Sequence, residues 1–122
     1  MKHKILVVDD EWSMRELLKN VLDLSGFEPL LACNEQEFRQ KVFQERPDAV
    51  ILDIILGDRD GTQIYSELLH DGMDPNIPVI FLSALAKDRP PIFPRKDRRY
   101  ALVGKPFDPE ELVRELRNIF VT

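Results

Sequence analysis

The run "AVILD" (49–53) is apolar for four positions and then ends in a carboxylate. The same construction recurs along the chain. "KILVV" (4–8) runs into Asp9 and Asp10, "PVIFLSA" (78–84) carries Ser83 near its end, and "YALVG" (100–104) runs into Lys105. Short β-branched runs without polar alternation suit strands that are buried on both faces. "EPLLAC" (28–33) reads as a second such strand, and "AVILDI" (49–54) as the third. Helical patterns fill the gaps. Met14, Leu17, Leu18, Val21 and Leu22 recur at helical spacing, and Gly26 supplies a stop. Asn34 sits where an N-cap is expected, with Glu37 three residues on and Phe38 and Val42 on one face. Ile64, Tyr65, Leu68 and Leu69 mark a short helix over 62–70. Near the end, Asp108 is expected to cap, Pro109 to take the first helical position and Glu111 to complete a capping box. Leu112, Val113, Leu116, Ile119 and Phe120 form that helix's buried stripe.

Strands alternating with helices imply a parallel sheet covered on both faces. Sites in such open sheets form at the carboxyl ends of the strands, where strand order reverses. Asp9, Asp10, Asp53, Ser83 and Lys105 are therefore expected to gather at one edge. Three crowded carboxylates repel one another, and a divalent cation together with the Lys105 ammonium would compensate them. Mg2+ suits an all-oxygen site with few protein ligands. One segment breaks the rhythm: Pro90, Pro91 and Pro94 fall where a fourth helix belongs. Proline removes a backbone donor and clashes with the preceding turn, so an irregular loop with one turn near 95–99 is expected.

The 122 residues suit one domain, and no repeat or second domain is visible. A net charge of -5 argues against a general nucleic-acid binder. The single cysteine, Cys33, excludes an internal disulfide and reads as a small core residue. No apolar run approaches the roughly 18–20 residues that span a bilayer, and the stretch after the basic start is too short for a signal peptide. A cytoplasmic chain is expected. His3 and His70 have no triad or metal spacing and read as surface residues. Trp12, next to the acidic pair, is expected to be partly exposed.

The segments "ILVVDDE", "VILDIILGDRDG", "VIFLSA" and "VGKPFDPEEL", in that order, resemble the receiver domain of two-component response regulators, chemotaxis-regulator-like in form. The resemblance covers essentially the whole chain, so 1–122 is taken as one receiver domain. It implies a flavodoxin-like (βα)5 fold with a doubly wound, five-stranded parallel sheet of order 2-1-3-4-5, the fourth helix here being irregular or missing. It implies that Asp53 accepts a phosphoryl group from a sensor histidine kinase or a phosphotransfer protein. Asp10 would bind Mg2+ (or Mn2+) directly and Asp9 through water, with Asp53 and the backbone carbonyl of Ile55 completing the metal set. Ser83 and the backbone amide of Ala84 would hydrogen-bond the phosphoryl oxygens, Lys105 would pair with them, and Pro106 would follow a cis peptide. The implied partners are a downstream effector or fused output domain, and a second copy through the face of the fourth helix, fifth strand and fifth helix. No direct nucleic-acid or membrane contact is implied. Such a domain is phosphorylated and dephosphorylated at its own site and is not a turnover enzyme.

Departures from the family pattern carry their own expectations. Gly57 stands where the family usually has proline, which suggests a looser turn; Gly61 matches the usual glycine. Leu102 occupies the switch-aromatic position, and Tyr100, two residues earlier, shares its face. Phosphorylation is therefore expected to reposition the 86–99 segment instead. Ile55 and Leu85 offer no side-chain group to orient a hydrolytic water, so slow autodephosphorylation is expected. Lys87, Arg89, Arg95, Lys96, Arg98 and Arg99 form either a solvated loop or a docking surface for an acidic partner. Asp10 is also a candidate N-cap for the helix that follows it. The competing reading is a phosphorylation-independent, receiver-like interaction module. A phosphatase of the haloacid dehalogenase type would need an aspartate two residues after the nucleophile, where Ile55 stands.

Overall fold

The computed structural model describes residues 2–83, 100–105 and 107–120, the side chains of 100 and 101 excepted. The chain runs β1 (Lys4–Val8), α1 (Trp12–Leu24), β2 (Glu28–Ala32), α2 (Glu35–Gln44) and β3 (Ala49–Asp53). It continues with β4 (Ile55–Leu56), β5 (Arg59–Asp60), α3 (Gly61–His70), β6 (Val79–Ser83), β7 (Tyr100–Gly104) and α4 (Pro109–Phe120). Strands β2-β1-β3-β6-β7 form one parallel sheet, while β4 and β5 make a separate antiparallel hairpin. With β6 and β7 as the sheet's fourth and fifth strands, the expected order 2-1-3-4-5 holds. The fourth-helix region, Ala84, Leu85, the basic cluster and Pro106 lie outside the described residues.

Strand parity sorts the core into two layers. Leu6, Val8, Val50, Leu52, Val79 and Phe81 pack with Phe38, Val42, Ile64, Tyr65 and Leu68 of α2 and α3. The alternate residues Ile5, Val7, Ile51, Ile80, Leu82 and Val103 pack with Leu18, Leu22, Leu112 and Leu116 of α1 and α4. Successive strand side chains point to opposite faces, so a strand covered on both sides must be apolar at every position. β3 and β6 are buried at all five positions, as their uninterrupted sequences require.

Most boundaries fall within a residue of those read from sequence, and the differences have local causes. The third helix starts at Gly61 because Asp60 is its N-cap, accepting from the Thr62 N–H at 2.8 Å. A Cβ at Gly61 would collide with the Asp53 carbonyl, so helix α3 meets the end of β3 only through glycine. The capping boxes are partial. Asn34 accepts from the Glu37 N–H, but the Glu37 carboxylate accepts from Cys33, one residue before the cap. Asp108 accepts from the Glu110 N–H. Asp10 is not a cap: Glu11 holds that position in α1, with no side-chain capping bond. Cys33 is half-buried at the rim, not in the core, because β2 has ended one residue earlier.

Candidate functional site

Register brings the acidic residues together. Val8 pairs with Leu52, so the next residues, Asp9 and Asp53, fall side by side at the carboxyl ends of β1 and β3. Both backbones stay in the ladder there: the Asp9 N–H donates to Ala32 and the Ile54 N–H donates to Leu82. Ser83 pairs with Gly104, and the Lys105 N–H donates to the Ser83 carbonyl at 2.9 Å. Asp9, Asp53 and Lys105 each follow by two residues an apolar side chain of the α1–α4 layer, Val7, Ile51 and Val103. The period of two therefore aims all three the same way.

The geometry follows. Lys105 Nζ lies 2.9 Å from Asp53 Oδ2 and 3.3 Å from Asp9 Oδ2. The other oxygen of each carboxylate takes a backbone donor, Ile55 N–H on Asp53 Oδ1 at 3.1 Å and Glu11 N–H on Asp9 Oδ1 at 2.9 Å. Arg15 Nη1 donates to the Asp9 carbonyl at 2.7 Å and so fixes the backbone of the acidic pair. Asp9, Asp53 and Ser83 are buried, whereas Asp10 is exposed and accepts from the Gly57 N–H at 3.1 Å. Both Asp9 and Asp53 are thus immobilised before any ligand arrives.

Burial pushes the Asp9 carboxyl above its ordinary pKa, and the neighbouring Asp53 charge adds to the rise. Burial works against the Lys105 ammonium, but the hydrogen bonds and charges of Asp53 and Asp9 outweigh it, so its pKa stands above the usual lysine value. One oxygen from each of Asp9, Asp10 and Asp53 lies within 4.8 Å of the others, which makes them a possible metal-binding group among the described residues. Three carboxylates against one ammonium leave negative charge uncompensated, and an all-oxygen donor set fits a hard divalent cation.

The expected site residues Asp9, Asp10, Asp53, Ser83 and Lys105 all stand at this edge, while Ala84 lies outside the described residues. The turn at Gly57 is tighter than expected. Residues 55–60 form a β-hairpin with a two-residue Gly57-Asp58 turn, Gly57 having φ 62°, the conformation that glycine supplies at the first central position of a type II′ turn. A proline there could neither adopt that φ nor donate to Asp10. Two residues escaped the sequence reading, Arg15 and Arg59. Arg59 donates to Glu35 Oε1 at 2.5 Å and to Glu67 Oε2 at 2.6 Å, and no local pattern foretells partners so far along the chain.

Leu102 packs against the α2–α3 layer. Trp12 is 68% exposed, more than expected. Among the described residues no helix is long and apolar enough to cross a membrane.

The family model described as "Response regulator receiver domain" matches residues 5–117. The phosphate regulon transcriptional regulatory protein PhoB of Pseudomonas aeruginosa is 32% identical over 94% of this chain and 50% of its own length. PhoB of Escherichia coli is 30% identical over 98% of this chain and 52% of its own. The chain therefore spans about half the length of these curated relatives. The chemotaxis response regulator CheY4 of Vibrio cholerae superposes with a TM-score of 0.80 at 23% identity, covering 98% of this chain and 100% of that one, a likeness of fold.

Proposed function

The chain belongs to the response regulator receiver domain family, and on that premise we propose that it is a phosphoacceptor signalling domain in which Asp53 receives the phosphoryl group. The observation that carries this reading is the convergence of Asp53 with Lys105, Asp9 and Asp10 at one sheet edge. The donor is a phosphohistidine of a sensor kinase or a phosphotransfer protein. An Asp53 carboxylate oxygen forms the new O–P bond as the N–P bond breaks, and the imidazole leaves with the electron pair and takes a proton from solvent. Receiver domains are signalling domains, and this one is read as acting on itself and not as a turnover enzyme. Its 122 residues are read as one such domain in the cytoplasm, with a downstream effector or fused output domain as partner and no direct contact with nucleic acid or membrane.

Asp10, Asp53, the Ile55 carbonyl and, through water, Asp9 would hold Mg2+ or Mn2+. The bound cation supplies Lewis-acid neutralisation of phosphoryl charge. Phosphoryl transfer asks mainly for positioning and charge stabilisation, because its transition state spreads charge over the equatorial oxygens. Lys105 sits where it can shift from the Asp53 oxygen to a phosphoryl oxygen, with Ser83 and the Ala84 amide as the proposed further donors. The Ile55 N–H holds the non-attacking oxygen of Asp53, which leaves one oxygen presented. A dimer through the face of the fourth helix, fifth strand and fifth helix, and repositioning of the 86–99 segment as the output, belong to the same proposal. Treatment with a small phosphodonor and Mg2+, followed by hydroxylamine cleavage and peptide mapping, tests the assignment. A labile phosphoryl on the peptide containing Asp53 supports it, and a modification elsewhere overturns it.

A further inference from the structure

Arg59 lies on the hairpin strand that faces Leu56, one pair away from the Ile55–Asp60 pair. Its two guanidinium nitrogens reach different helices. Nη1 donates to Glu35 in the first turn of α2, and Nη2 donates to Glu67 on α3. The hairpin is thus attached at three points: Leu56 is buried in the α2–α3 layer, Gly57 donates to Asp10, and Arg59 spans the two helices. A cavity of about 230 Å3 borders this span, lined by Asp10, Cys33, Glu35, Gly57 and Arg59 among others. Without the clamp, Leu56 and the Gly57–Asp10 hydrogen bond would be left to hold the hairpin beside that space.

We propose that Arg59 is a positioning residue for the cation site, clamping the β4–β5 hairpin to α2 and α3 so that the Gly57 amide stays on Asp10 and the Ile55 amide stays on Asp53. The proposal rests on the reading of Asp9, Asp10 and Asp53 as that site. The alternative is an ordinary surface ion pair, which contributes little. Two physical arguments separate them. An exposed pair tunes stability slightly and leaves ligand affinity untouched, whereas groups that orient metal ligands alter affinity when removed. The sign also differs. Replacing Arg59 by a neutral residue makes the neighbourhood one unit more negative, so charge alone would tighten cation binding, while loss of positioning loosens it.

The test is calorimetric Mg2+ titration of the wild type, Arg59→Gln and Arg59→Lys, with the melting temperature of each metal-free protein, and of Glu67→Gln, taken alongside. Arg59→Gln is expected to weaken Mg2+ binding by about tenfold, the low end of the loss for groups that orient metal ligands. Arg59→Lys is expected to recover part of it, since an ammonium is a point charge and cannot fork to both helices. Glu67→Gln, which keeps the Glu35 arm, also removes a negative charge and is read only for its melting temperature; Arg59→Lys, which keeps the charge and loses the fork, carries the test if Arg59→Gln does not fold. Unchanged or tighter binding in the Arg59 variants, beside normal wild-type binding, overturns the clamp, as does a lowered melting temperature with unaltered affinity. Absence of saturable Mg2+ binding in the wild type overturns the cation-site reading and the clamp with it.

Discussion

The Lys105 ammonium rests 2.9 Å from Asp53, 52 residues earlier in the chain, and among the described residues is the one positive side chain paired with the carboxylates of this cluster. Lys105→Met should leave three carboxylates facing one another. Leaving these largely buried acceptors without their donor is expected to cost about 1–3 kcal/mol in the metal-free protein. Mg2+ should restore part of that loss, and phosphorylation at saturating Mg2+ should slow by about a hundredfold. Urea denaturation with and without Mg2+, and phosphodonor kinetics, check both points. Equal stability with a normal rate would remove Lys105 from the site.

Asp9 gives a pH dependence with a definite sign. Burial, reinforced by Asp53, raises its folded pKa above the unfolded value. Its contribution favours the fold at low pH and is lost as pH rises through the raised value. Asp9→Asn imitates the protonated state at every pH, so the metal-free variant is expected to be more stable than wild type by about 1 kcal/mol near neutrality. The difference should shrink as pH falls toward the carboxylate range. Mg2+ affinity of the wild type should decline over the same interval, because the proton competes for the ligand. Denaturation curves at about pH 7 and about pH 4 decide it; a variant less stable than wild type at neutrality contradicts the assignment of Asp9 as a strained carboxylate.

Most of this site was legible in the sequence, and the reason is geometric. A strand has a period of two, and parallel strands buried on both faces leave little freedom of register. Asp9, Asp53, Ser83 and Lys105 could therefore be placed at one edge from the lengths of the apolar runs that precede them. The hairpin at 55–60 was not legible, because two-residue strands carry no period, and Gly57 read alone suggests looseness. The partners of Arg59 lie 24 and 8 residues away, joined by helix packing and not by spacing. Glu37 shows a subtler miss: the capping residues were right, yet its carboxylate found the Cys33 amide instead of the Asn34 amide.

That contact makes Cys33 a reporter. The Glu37 carboxylate holds the Cys33 thiol above its ordinary pKa, with burial adding to the rise, while the Cys33 amide lowers the pKa of Glu37 in return. Glu37→Gln keeps an acceptor for the amide and removes the charge. The thiol titration midpoint should move down toward the ordinary value and alkylation at mildly alkaline pH should speed up. Identical alkylation profiles would show that Glu37 does not govern the thiol.

Ile55, half-exposed beside Asp53, presents no group that could align an attacking water. The aspartyl phosphate is expected to persist for minutes or longer, and Ile55→Gln to shorten its life by supplying a polar side chain. Loss of label after removal of the phosphodonor measures both. A wild-type half-life of seconds contradicts the expectation.

The decisive measurement is intact mass after incubation with a small phosphodonor and Mg2+, on wild type and on Asp53→Asn. Wild type should gain the mass of a single phosphoryl group, only while Mg2+ is present, and Asp53→Asn should gain none. Equal labelling of the two proteins, or no labelling of the wild type under any cation, would mean that this edge of the sheet does not accept phosphate.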